Sequence, residues 1–324
     1  MRGIEQDEEG MFSYISTEKR VPLPHPLRAI KQIVRDVFNR MHHDFDGIYS
    51  SVGRPSIPPE QLLCALLLQA FYGIRSHRQL CEQLDYNLLF RWFVGLSADS
   101  PIFDHSSFSM NQDRLERHDV FGKFMAALLH HDDVFPLLSD EHFSVDGTLI
   151  EAWASHKSFK PKDGSGDGDG GKYHKHKRSN HTHQSTSDPE CRLYRKSSGQ
   201  EARLCYIGHA IMENRNGLII DGMVSQATGT AERDCAEQLA GHIKASKPHR
   251  ITLGSDKNYD THAHTNMLSQ AGITPHPARH HAITKTGKHR KSFVDDTLAN
   301  DAGYRMSQTR CKMIECVIPK LIGA

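Results

Sequence analysis

No stretch of the sequence is apolar for long enough to cross a bilayer. The run that leans furthest that way, Leu62 to Tyr72, falls well short of the ~20 apolar residues a membrane helix needs. The opening MRGIEQDEEGMFSYISTEKR is acidic and has no apolar centre, so it does not read as a signal peptide. Cysteine is sparse and shows no ligand spacing. The seven residues, at 64, 81, 191, 205, 235, 311 and 316, are odd in number and include no C-x-x-C pair. That argues against a disulfide framework and against a zinc ribbon, and leaves reduced, mostly buried thiols. Charge of one sign is lacking too. The formal net charge is only +1, so any nucleic-acid-binding surface has to be local.

What is present is ordinary for a soluble globular chain: 324 residues, 37% hydrophobic and 24% charged. This is room for two modest domains. Residues 26–130 read as helical. Leu27, Ile30, Ile33, Val34, Val37, Phe38 and Met41 recur at helical spacing behind Pro26. Pro58 and Pro59 open a second helix that Gly73 closes, and Ser76 is placed to cap a third. Two further helices are expected over Asp104 to Leu115 and Val120 to His130.

From residue 142 the period changes. HFSVDGTLIEAW alternates, as a strand does. RLCYIGHAIMEN and GLIIDGMVSQA are two more strands, joined by Asn214-Arg215-Asn216-Gly217. Thr230 is expected to cap a helix whose first turn holds Glu232 and Asp234, favourable charges at that end. RITLGSD is a fourth strand, Thr261 to Ala271 a helix, ITPHPA a fifth strand, and Ser307 to Ile318 a last helix. The order defines a mixed α/β sheet. The boundaries expected are a helical domain over 1–135 and an α/β domain over 140–324. The latter is interrupted at about 156–200 by a polar, glycine-aspartate-rich stretch expected to be a disordered insertion.

Three acids stand out by position. Asp146 lies inside a strand of apolar and small residues, Asp256 ends the fourth strand, and Glu315 sits on the final helix, flanked by Ile314 and Val317. Ligands of open α/β sheets gather outside strand carboxyl ends. Buried carboxylates need a partner or a cation, and Mg²⁺ takes hard oxygen donors. Alternatively, each acid is satisfied by local hydrogen bonds or lies at the surface.

Several long motifs are similar to those of the bacterial insertion-sequence transposases of the insertion sequence five family. They are GRPSIPPEQLLCALLLQAFYGIRSHRQLCEQLDYNLLFRWFVGL, DHSSFSMNQDRL, SVDGTLIEAWASHKSFKPKD, ENRNGLIIDGMVSQATGTAERD, LGSDKNYDT and GYRMSQTRCKMIE. The resemblance covers almost the whole chain. It implies a ribonuclease-H-like mixed-sheet core preceded by a helical DNA-binding domain. It also implies Asp146, Asp256 and Glu315 as the catalytic, metal-binding acids of a DDE transposase, with Mg²⁺, or Mn²⁺ in its place, as cofactor. The implied partners are terminal inverted repeats and target DNA, met as a homodimer, in a cytoplasmic, nucleoid-associated setting without membrane.

Lys257 and Tyr259, beside Asp256, are expected at the DNA, the tyrosine in a positioning or contact role. The run His276 to Lys291 holds five Lys or Arg, four His and no acid. It is expected to touch phosphates through Arg279, Lys285, Lys288, Arg290 and Lys291; a solvated loop is the other reading. Arg310 and Lys312 are the basic residues remaining on the last helix, and Arg54, Arg75, His77, Arg78 and His105 are weaker candidates. The chain departs from the family at Asn258, where glycine is usual, at Met110, and at Cys311 and Met313. After Glu315 the family pattern gives way to CVIPKLIGA. Pro319 is expected to end the helix about one turn beyond Glu315, which together with the resemblance implies a copy shortened at its C-terminus. Beside an active transposase, the alternatives are a decayed, non-catalytic DNA-binding remnant and a metal-dependent nuclease of the same fold.

Overall fold

The computed structural model describes residues 14–49, 52–53, 55–163, 178–196, 199–280, 287 and 292–321. The chain divides into two units, the first ending at Pro136 and the second beginning at Leu137.

In the first unit every regular element among the described residues is helical. α1 (Thr17–Arg20) is followed by α2 (Leu27–Arg40), whose apolar stripe buries Leu27, Val34, Val37 and Phe38. α3 (His42–Asp46) is short. α4 (Pro59–Tyr72) starts on the second of its two prolines and buries Leu62, Leu63, Cys64, Ala65 and Leu68. α5 (His77–Tyr86) begins at Ser76, whose hydroxyl accepts from the Gln79 amide at 3.2 Å. α6 (Leu88–Val94), α7 (His105–Arg117) and α8 (Val120–Leu129) complete the unit around one apolar core. Arg91 is buried in it, with the exposed Asp85 carboxylate 4.0 Å from its guanidinium. The guanidinium also donates to the carbonyls of Leu84, Asp85, Ser97 and Ser100, so the charge is surrounded by dipoles that replace water.

In the second unit, β1 (His142–Glu151) is the central long strand. β2 (Phe159–Pro161) and β3 (His183–Ser185) form a separate two-stranded ribbon. β4 (Arg192–Tyr194) and β5 (Arg203–Glu213) follow, then β6 (Ile219–Gln226), α9 (Ala231–Ala245), β7 (Ile251–Ser255), α10 (His262–Gln270) and β8 (Ile273–Pro277). α11 (Asp296–Asn300) and α12 (Ala302–Leu321) end the described chain. The sheet order is β4-β5-β1-β7-β8, with β6 also on β5. β5 pairs antiparallel with β1, β4 and β6, while β1–β7 and β7–β8 are parallel.

Alternation along β1 separates two layers. Phe143 and Val145 join Ile211, Ala236, Leu239, Ala240 and Leu253 in the core beneath α9. On the other face, Ala210 and Met212 of β5 pack against Ile314 of α12. Gly254 permits that second layer. A Cβ there would stand 3.0 Å from the Ser144 Oγ and 3.5 Å from the Ser307 carbonyl, so its absence lets α12 lie close on β7.

Three expectations are corrected. The stretch 156–200 is not uniformly unstructured: a 3-10 turn at His156–Ser158 leads into the β2–β3 ribbon, and β4 joins the main sheet. Phe159, Cys191 and Leu204 form an apolar cluster beneath these short strands, and residues 164–177 lie outside the described residues. Helix α12 does not stop before Pro319 but continues to Leu321. A proline this late removes one helical hydrogen bond, the one to the Glu315 carbonyl, and the turns before it are held by packing onto the sheet. Thr230 precedes α9 without a side-chain cap; the Thr228 hydroxyl accepts from the Ala231 amide instead, at 3.2 Å.

Candidate functional site

Asp146 lies on the α12 face of β1, in register with Ala210 of β5. Two residues before it, Ser144 is in register with Gly254 of the parallel strand β7. Counting forward on both strands puts Asp146 and Asp256 at the same level. Asp256 ends β7 and starts a 3-10 turn, Lys257–Tyr259, which its carboxylate caps by accepting from the Asn258 amide at 2.8 Å. Glu315 follows Ile314, the α12 residue fully buried against β5, so the helix that covers Asp146 also carries the third acid.

Electrostatics link the three. Burial first, and then the charges of Asp256 and Glu315, push the Asp146 carboxyl up to about 6, against the lowering effects of the Gly147 amide and of Lys196. The Asp146 carboxylate accepts from the Gly147 amide at 2.8 Å. Asp146 and Asp256 are therefore each satisfied locally as they stand, and among the described residues no three His, Cys, Asp or Glu side chains converge closely enough to hold a metal ion. The donors are nonetheless all hard oxygens, and the Asp146 carboxyl is held in a setting that penalises its charge. A cation would relieve that penalty, so the chemistry of these donors, though not their present spacing, suits a Mg²⁺-type ion.

Two residues enter that the sequence reading did not place here. Glu232, in the first turn of α9, is pushed up by burial and then by Asp256 and Asp146. Lys196, exposed after β4, acts on both Asp146 and Glu232. Nothing in the local sequence marks either of them. Their placement follows from topology, with α9 starting beside β1 and β4 adding to β5.

The expected DNA-facing residues divide. Lys257 is exposed immediately after Asp256, and on α12 Lys312 is exposed and Arg310 half-buried. Arg279 is ion-paired with Asp296 at 2.7 Å. Lys285, Lys288, Arg290 and Lys291 lie outside the described residues, as does Arg54. Tyr259 is a correction: its side chain is 0% exposed, packed with Leu239, Leu268 and Ile273, and cannot touch DNA from there. Its hydroxyl has no hydrogen-bond partner among the described residues. His276 also leaves the basic surface. It is buried under α12, with Nδ1 2.9 Å from the Ser307 hydroxyl, and desolvation holds its imidazole below the usual value.

Residues 15–114 match the family model described as Transposase domain (DUF772). No curated protein matches the chain. Among solved structures, a piggyBac transposase synaptic complex with hairpin DNA aligns over 84% of this chain and 51% of its own, at 10% identity and TM-score 0.35. This chain thus spans about half the length of that one. The Mos1 mariner paired end complex with Mn aligns over 89% of this chain and 85% of its own, at 11% identity and TM-score 0.23. The Mos1 strand transfer complex aligns over 88% and 84%, at 12% identity and the same score.

Proposed function

We propose that this chain is a DNA transposase of the DDE type, resembling the insertion sequence five family. In this reading a ribonuclease-H-like core carries Asp146, Asp256 and Glu315 as catalytic carboxylates, and the helical unit binds DNA ends. The observation that carries it is the Asp146 carboxyl, pushed up to about 6 in a setting where burial is joined by the charges of Asp256 and Glu315. An anion in that position is costly without a counterion. The transposase-domain match over residues 15–114 supports the reading from a part of the chain that contains none of the three acids.

Asp146, Asp256 and Glu315 would hold Mg²⁺, or Mn²⁺ in its place. When bound, such ions activate a water or 3′-hydroxyl for in-line attack and stabilise the leaving oxygen of a phosphodiester. The chain's own residues orient this chemistry. The matching level of Asp146 and Asp256 on β1 and β7, and the close packing of α12 over Gly254, support this reading, in which Glu315, exposed on α12, would turn toward the aspartates. Lys257, Arg310 and Lys312 offer positive charge to the backbone of a bound strand. The DNA would be the element's terminal inverted repeats and a target, with two copies of the chain in the complex.

The test is cleavage and joining by the purified chain on DNA carrying the flanks of its own coding region. Cleavage should require Mg²⁺ or Mn²⁺ and be lost in each of Asp146→Asn, Asp256→Asn and Glu315→Gln. Cleavage that persists in Asp146→Asn contradicts the reading. Cleavage without joining makes the chain a nuclease of the same chemistry.

A further inference from the structure

Glu232 is not explained by the three acids above. It sits in the first turn of α9, on the far layer of the sheet from α12, yet its side chain lies over β1. A Cβ built at Gly147, the residue after Asp146, would be 3.3 Å from the Glu232 Cγ. The same turn is tied to the segment that carries Asp256. Arg233 donates to the Asn258 carbonyl at 3.3 Å, and Asn258 is two residues beyond Asp256. Glu232 is therefore held between the two aspartate-bearing segments.

A second observation comes from Tyr259. Its side chain is 0% exposed and its hydroxyl has no partner among the described residues. After burial, the groups that act on that hydroxyl are Glu232, Asp146 and Asp256, in that order, followed by Cys311. A buried phenol is normally hydrogen-bonded. This one has no partner among the described residues, and the carboxylates that act on it are Glu232 and the two aspartates.

We propose that Glu232 is a fourth carboxylate of this site, set beside Asp146 and Asp256 by the first turn of α9, and that it helps to hold the divalent cation. The inference rests on the reading of Asp146 and Asp256 as cation ligands. Tyr259 is a positioning residue in this arrangement, its hydroxyl available to a carboxylate or to a water on the ion. The bland role for Glu232 is to sit near a helix N-terminus. Asp234 occupies the same turn but is exposed, so it provides the control.

The experiment is Mn²⁺ binding to the full chain by electron paramagnetic resonance, with melting curves taken with and without Mn²⁺. Glu232→Gln is expected to weaken Mn²⁺ binding by about 10-fold or more, to raise the metal-free Tm because a repelled buried charge is gone, and to shrink the Mn²⁺-induced rise in Tm. Asp234→Asn should do none of these. Glu232→Asp, which keeps the charge but retracts it, should bind with intermediate affinity. If Glu232→Gln and Glu232→Asp both bind Mn²⁺ as the native chain does while Asp146→Asn does not, the proposal is overturned and the three-acid reading stands. If the native chain takes up no Mn²⁺, or Asp146→Asn binds it undiminished, the site reading fails and the proposal fails with it.

Discussion

Glu213 is fully buried, and four backbone amides donate to it: Ser139 at 3.0 Å, Arg215 and Asn216 at 2.8 Å, and Leu218 at 3.0 Å. The carboxylate shapes the whole β5–β6 connection and ties it to the chain entering β1. Replacing it with Gln turns one acceptor into a donor that faces amide N–H groups. Glu213→Gln should therefore cost about 3 kcal/mol, since hydrogen bonds to charge are the strong ones and a mismatched buried donor adds its own penalty. A denaturant titration checks this, and a loss under about 0.5 kcal/mol would contradict it. The turn itself was legible as Asn-Arg-Asn-Gly; the residue that organises it was not. The same asymmetry holds at the site. Asp146 was legible because an acid in a run of apolar and small residues breaks the pattern. Glu232 was not, because an acid in a helix's first turn already has a sufficient local reason. Tyr259 was misplaced because a phenol beside a strand end reads equally well as surface or core.

At the scale of elements, α12 does more than cover the sheet. Tyr304 donates to the Pro277 carbonyl at 3.0 Å, Gln308 to the His276 carbonyl at 2.6 Å, and Ile314 closes the packing over β5. Gly254 lies under the first turns of this helix, beside Ser307. Gly254→Val should displace α12, costing about 1–3 kcal/mol as overpacking does, and should lower cleavage further because Glu315 moves with the helix. Unchanged cleavage with intact folding would detach Glu315 from the site. The turn after Asp256 has a comparable anchor. The Asp260 carboxylate accepts from the amides of His280 and Phe293 at 3.1 and 2.9 Å and from the Ser292 hydroxyl at 2.5 Å, so it joins the two ends of the basic segment to the site turn. Asp260→Ala should abolish hydrogen-exchange protection at Phe293 while sparing the β7 amides; retained protection would refute the clamp. The strands and most helices were readable from period alone, because one buried face imposes it. The β2–β3 ribbon and β4 were not: each has three residues, too few to show alternation, and their burial comes from a distant strand.

For the second unit as a whole, acid sensitivity should follow its buried histidines. Desolvation holds His209, His264 and His276 below the ordinary imidazole value, His209 down to about 4. A folded value below the unfolded one means that the unfolded chain binds more protons. The stability is then full above about pH 6.5 and is lost as pH falls toward the folded value. His276 faces Asp301, which opposes the shift, and His142, which adds to it. His276→Gln should reduce the drop in stability between neutral and mildly acid pH by up to about one proton's worth of slope. An unchanged difference in urea midpoint between the two pH values would contradict this. For the DNA complex, Lys257→Gln with Lys312→Gln should flatten the log–log salt dependence of binding by about 2, one for each phosphate no longer neutralised; an unaltered slope removes both residues from the interface.

The central claim is that Asp146 and Asp256 share a divalent cation with Glu315. The most direct measurement is anomalous diffraction from crystals of the chain grown with Mn²⁺. The account predicts an anomalous peak bound by oxygens of Asp146 and Asp256, beside the carboxyl end of β7 and within reach of Glu315. Mn²⁺ bound elsewhere, with those carboxylates still accepting only from the Gly147 and Asn258 amides, would contradict it.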